Sequence, residues 1–165
     1  YPFDPDKARE LLAGRTPEIT ITVPNRPYAQ EASELIYSQL RDVGFRVRLE
    51  TVEFPAVWLN QVLKGHDYQA SLVAHVEPRD VPMLFGNPDY YLGYDSARAR
   101  ELIQAAEVGE QASNMEAAVD QIMTDAAALT LVNAPNIVLL GPGVSGVNPN
   151  VVTEGLPLRT IEVDK

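Results

Sequence analysis

The sequence predicts an α/β fold, with a largely parallel central sheet flanked by helices in three layers. Three observations carry that prediction. Residues 45–75 change period twice. Phe45, Val47 and Leu49 alternate with Arg46, Arg48 and Glu50, then Phe54, Val57, Trp58 and Val62 recur at helical spacing, then Tyr68 to Val76 runs nearly apolar. A period of two that becomes a period near 3.6 and reverts marks a βαβ unit. Residues 18–76 extend that order to β-α-β-α-β, and right-handed crossovers place such strands in one largely parallel sheet. The third strand is apolar on almost every residue, which suits a strand covered on both faces.

Each element has its own signals. Asp4 and Pro5 form a helix start, and Ala8, Leu11 and Leu12 give a short apolar stripe that Gly14 stops. Glu18 to Val23 alternates, with Ile19, Ile21 and Val23 on one face and Thr20 and Thr22 on the other, β-branched throughout. Pro24 and Pro27 close that strand. Tyr28, Ala32, Leu35, Ile36, Leu40 and Val43 then share a helical face, and Gly44 ends the helix. A strand over 45–52 and a helix over 54–64 follow, with Pro55 in the first turn and Gly65 as the stop. The third strand spans 68–76.

Residues 77–94 form a connection rich in Pro, Gly and aromatics. A long connection without its own secondary structure is either a functional loop or one packed by its own side chains, here Met83, Leu84 and Phe85. Asp95 or Ser96 caps a helix to about Val108. Ser113 and Glu116 form a capping box for the next helix, with a stripe of Met115, Val119, Ile122, Met123 and Ala126. Leu131-Val132 and Ile137 to Leu140 read as strand, and Leu158 to Val163 as a short β segment.

Composition narrows the function classes. The 165 residues carry a net charge of -10, which repels nucleic-acid phosphates and anionic membrane surfaces. No apolar run approaches the roughly 20 residues of a membrane span, so no direct membrane insertion is expected. Cysteine is absent, which removes disulfides, thiolate metal sites and thiol nucleophiles together. The start, Tyr1-Pro2-Phe3-Asp4-Pro5, lacks Met and leads almost directly into a helix. It reads as a piece cut from a longer chain, or as a mature terminus after processing.

No nucleophile elbow, phosphate loop or dinucleotide fingerprint occurs. Gly141-Pro142-Gly143 is a turn, because Pro lacks an N–H for a phosphate cradle. His66-Asp67 lacks the further ligands a metal site requires and reads as a turn. In a parallel sheet, ligands bind beyond the carboxyl ends of the strands. His75 lies near the end of the third strand, either facing ligand or buried and satisfied. Glu77 and Asp80 follow it and suit a cationic ligand group, while Arg79 suits a ligand carboxylate. The alternative is a solvated loop with a local ion pair.

Several segments together resemble the oligopeptide-, dipeptide- and nickel-binding solute receptors of ABC importers (bacterial solute-binding protein family 5). Tyr1-Pro2-Phe3-Asp4-Pro5-Asp6-Lys7-Ala8-Arg9-Glu10-Leu11-Leu12 resembles that family's Y-P-x-D-P-x-K-A-x-x-L-L segment. Ile19 to Val23, then Ala29 to Leu40 and Gly44, resemble its strand, helix and turn. Val47 to Val52 resembles its V-x-L-x-x-V strand, Gly65-His66-Asp67-Tyr68 the entry to its next strand, and Tyr91-Leu92-Gly93-Tyr94 the segment before its helix. The resemblance spans essentially all of residues 1–165, but only the second, C-terminal lobe of a family architecture with two lobes and a hinge. It implies a periplasmic-binding-protein-like lobe.

The resemblance places Glu77 at the family's acid, which often takes a peptide amino group, and Asp80 at the following aspartate. Val81 stands where the family has Pro, and Ala74-His75-Val76 where it has aromatics. What it implies is a non-enzymatic ligand-binding lobe, without a cofactor or metal, capturing peptides by hinge closure for import. Glu77, His75, Arg79 and Asp80 would face the cleft, with Tyr91 and Tyr94 as apolar walls. The expected partners are a peptide or other small solute and the transporter's permease subunits. The expected location is extracytoplasmic, with the parent lipid-anchored. Two other classes stay open: a receptor for a nickel chelate, opine, sugar or haem on the same scaffold, and a stand-alone protein-interaction module.

Overall fold

The computed structural model describes residues 1–76, 80–109, 112–135, 137–148 and 157–164. Contacts divide the chain into two compact units, residues 1–74 with 88–93, and residues 75–87 with 94–165.

The first unit opens with α1 (Pro5–Leu12), where the Asp4 carboxylate accepts the Lys7 N–H at 2.8 Å. Expected cap and proline both sit where the sequence puts them. The helix ends on Ala13, at φ 49°, ahead of Gly14. Strand β1 (Glu18–Pro24) pairs in parallel with β2 (Arg46–Val52), from Glu18 opposite Arg46 to Pro24 opposite Val52. Between them α2 (Pro27–Val43) buries Ala29 and Ser33. Ile36 and Leu40 of α2 pack with Ile21, Val23, Val47 and Leu49 of the sheet. This is the apolar face that the alternation of β1 announces. Gly44 then takes φ 118°, a left-handed geometry that glycine adopts without Cβ strain.

The second crossover departs from expectation. The predicted helix over 54–64 is a short α3 (Ala56–Trp58) that continues as a π-helical stretch, Leu59–Lys64. Gly65 keeps an ordinary φ of -89°, and it is His66 that takes the left-handed turn at φ 50°. The predicted third strand over 68–76 contracts to β3 (Ala70–Ser71), parallel to β1 in a sheet ordered β2-β1-β3. The reason lies in the donors. Gln69 Oε1 takes the Thr20 N–H at 2.7 Å, and Pro24 has no N–H to offer. The β1–β3 ladder is therefore confined to Ile21 opposite Ala70 and Thr22 opposite Ser71.

The second unit is built on helices. The stretch expected to lack secondary structure contains α4 (Asp80–Phe85). Helix α5 (Ala97–Gly109) is capped by Ser96, whose Oγ accepts the Ala99 N–H at 3.3 Å. Helix α6 (Ala112–Thr124) starts ahead of Ser113, so Ser113 lies in its first turn and is not the cap. Ala99, Ile103, Ala118 and Ile122 form the α5–α6 core, with Val81, Phe85, Tyr94 and Leu102 packed around it. Leu131-Val132 and residues 137–140 form no strand, and Leu139 is 91% exposed. Of the predicted C-terminal β segment, β5 (Glu162–Val163) pairs antiparallel with β4 (Val144–Ser145).

Candidate functional site

The carboxyl edge of the first unit's sheet collects the residues after β1 and β2 and the chain leaving β3. Arg26 follows β1 directly. Its guanidinium carbon lies 4.9 Å from the centroid of the Phe54 ring. Its Nη1 donates to the Asn25 carbonyl at 3.2 Å and its Nη2 to the Phe54 carbonyl at 3.4 Å. Aromatic stacking and two carbonyls hold the guanidinium plane in place. No carboxylate among the described residues forms an ion pair with it. Tyr28, in the first turn of α2, accepts the Ala74 N–H on its hydroxyl at 2.9 Å. The sheet order makes β1 and β3 the pair where the crossovers diverge, the position at which open α/β sheets bind ligands.

Deeper in this unit, Trp58 is 3% exposed and donates its Nε1–H to Ser71 Oγ at 3.2 Å. Ser71 in turn donates to the Thr22 carbonyl at 2.6 Å. Tyr91 is buried too, edge-on to Trp58 with centroids 5.8 Å apart. Its carbonyl accepts from the Tyr68 hydroxyl, whose pKa is raised by burial. Tyr91 is therefore a core aromatic, not an open wall, because Trp58 needs an apolar partner on this side.

Elsewhere in the unit, Thr20, Thr22, Glu50, Gln61, Asp67 and Gln69 line an open polar depression of about 400 Å³. Thr22 already donates to Glu50 Oε2 at 3.2 Å.

In the second unit, His75 Nε2 lies 3.3 Å from Asp80 Oδ1. These two expected site residues come together. Glu77 and Arg79 lie outside the described residues. Tyr94 packs edge-on to Phe85 at 6.0 Å between centroids and donates its hydroxyl to Asp125 Oδ2 at 2.6 Å. That places it in the α4–α5–α6 core as a structural tie. Its pKa is raised by burial and then by the Asp125 hydrogen bond, while the same bond lowers the pKa of Asp125.

Sequence reasoning missed Arg26 and Tyr28. The signal was there: Asn25-Arg26-Pro27-Tyr28 follows the first strand directly. The rule that ligands gather at carboxyl ends applies to β1 as much as to the third strand. Among the described residues, no three His, Asp or Glu side chains gather as metal ligands.

No protein-family model matches the chain, and no curated protein matches it in sequence. Solved structures do match in fold. The chain superposes on the pheromone receptor PrgZ with a TM-score of 0.69 and 17% identity, over 98% of this chain and 33% of that one. The periplasmic binding protein DppA from Helicobacter pylori, in complex with the peptide STSA, gives 0.66 and 18%, over 100% of this chain and 35% of that one. NikZ from Campylobacter jejuni, in complex with Ni(L-His), gives 0.62 and 14%, over 77% and 31%. The chain thus has the α/β fold of part of the peptide- and nickel-type solute-binding proteins, and spans about a third of their length. The resemblance read from the sequence holds at the level of fold.

Proposed function

We propose that the chain is one lobe of an extracytoplasmic solute-binding protein that captures peptides by hinge closure and delivers them to an ABC importer. One observation carries this reading: the fold match runs over 98% and 100% of the chain for the two peptide-binding structures. Contacts from both lobes stabilise the closed state, and the transporter's permease subunits recognise that state. The role is binding and release, without bond-making chemistry. On this reading the parent protein works outside the cytoplasm, held by a lipid anchor.

Arg26 supplies what such a site needs for one end of a peptide. A fixed guanidinium presents paired N–H donors that match a carboxylate. We assign it to a ligand carboxylate; Glu77 is proposed, independently of it, for an amino group. In the intact receptor, Arg26→Gln is expected to weaken free-acid peptides about 10- to 100-fold. Carboxamide-terminated peptides should change little. Titration calorimetry with matched acid and amide peptides separates the two. Equal losses for both forms would remove the carboxylate assignment. The match to NikZ keeps a nickel chelate as the second reading. Binding of Ni(L-His) in preference to peptides would favour it.

A further inference from the structure

We propose that Tyr28 is a positioning residue. It fixes the chain leaving β3 at the carboxyl edge of the sheet and thereby sets the receptor's affinity for its solute. The inference rests on the solute-binding reading above and adds to it a residue that reading does not need.

Asn25 sends its N–H to the Val52 carbonyl of β2 at 2.8 Å. Successive N–H groups of a strand point to opposite sides. Positions 20, 22 and 24 therefore offer theirs toward β3. The Thr20 N–H goes to Gln69 Oε1 on that side, as this alternation requires. Position 24 is proline and has no donor. The β1–β3 ladder accordingly stops after Thr22 opposite Ser71.

Beyond Ser71 the ladder ends; Leu72 still packs against the sheet core, and the backbone past it lacks a ladder bond to hold it. Tyr28 provides a hold. Pro27 starts α2 at the end of β1, and the next residue projects its phenol to the Ala74 N–H at 2.9 Å. The hydroxyl gives the Ala74 N–H an acceptor outside the ladder, which ties down the backbone just past the point where Pro24 breaks the pairing. His75 follows Ala74 directly, so the bond fixes where the chain departs toward the expected ligand residues. A hydroxyl that accepts one bond still has a proton to donate. Among the described residues, no acceptor takes the Tyr28 proton, and it is open to a solute oxygen at this edge.

The test uses the intact receptor with Tyr28→Phe, which keeps the ring and removes only the hydroxyl. Hydrogen exchange followed by NMR reads the Ala74 amide directly. The Ala74 amide is expected to exchange about 10-fold faster, while the β1–β2 amides and the melting temperature stay as in the wild type. Affinity for a mixed tri- and tetrapeptide library is expected to fall about 2- to 10-fold. Unchanged exchange at Ala74 would overturn the proposal. Faster exchange with unchanged affinity would reduce Tyr28 to local structure and overturn its role in binding. A wild-type receptor that binds none of these peptides would instead defeat the peptide reading, and Tyr28 would then be judged on Ala74 exchange alone.

Discussion

Tyr94 and Asp125 show how one hydrogen bond ties a loop to a helix and leaves a signature in pH. The phenol donates to the carboxylate at 2.6 Å, and Gln121 Nε2 donates to its other oxygen at 2.9 Å. These bonds favour the charged form, so the Asp125 pKa falls below the ordinary 3.8. A depressed folded pKa contributes stability above the unfolded value, and that contribution is lost as pH falls through the folded value. Tyr94 has the opposite sign. Its pKa is raised above 10.0, by burial first. It contributes stability below the unfolded value and loses it as pH rises through the folded one. Tyr94→Phe should therefore flatten both limbs of the stability-pH curve, the acid limb below about pH 4 and the alkaline limb above about pH 10. Urea melts at stepped pH would show it. Parallel curves for wild type and variant would refute the tie. Tyr94 was legible in the sequence as an aromatic before a helix, but its partner was not. Asp125 lies 31 residues away, and nothing local marks it.

At the scale of elements, periodicity located the helices and strands that carry a full apolar face, and lost those held by specific hydrogen bonds. β1, α2 and β2 stand close to where alternation and stripe put them, because Ile21, Val23, Ile36, Leu40, Val47 and Leu49 must pack together. β3 did not, because its apolar run says nothing of the donors that Pro24 withholds. The turn after the π-helical stretch makes a similar point. Gly65 reads as the stop of its helix and does end it, but with an ordinary φ of -89° and no left-handed turn. Its requirement is space: a Cβ there would lie 2.9 Å from the Asn60 and Gln61 carbonyl oxygens. Backbone oxygens cannot move aside as a side-chain tip can. Gly65→Ala is expected to destabilise by about 1–3 kcal/mol, measured by chemical denaturation. A neutral result would mean that the π-helical turn relaxes to admit the methyl group. His66→Gly, at φ 50°, should not share that loss, since glycine accepts positive φ.

For the whole molecule, the fold was legible and the site only in part. The order β-α-β-α-β and the resemblance to peptide and nickel receptors both pointed to a binding-protein lobe, and the solved structures agree in fold. The candidate site was read too narrowly from one strand end, so Arg26 and Tyr28 escaped while Tyr91 was taken for a wall. Burial of Tyr91 depends on Trp58, and no pattern in the sequence pairs them.

The central claim, capture of peptides, is tested most directly by native mass spectrometry of the intact receptor, purified gently from cells grown on peptides. The account predicts a co-purifying mass that fragments into amino-acid residues and is lost or reduced with Arg26→Gln. A bound metal chelate or sugar, or a protein that stays empty when peptides are supplied, would contradict it.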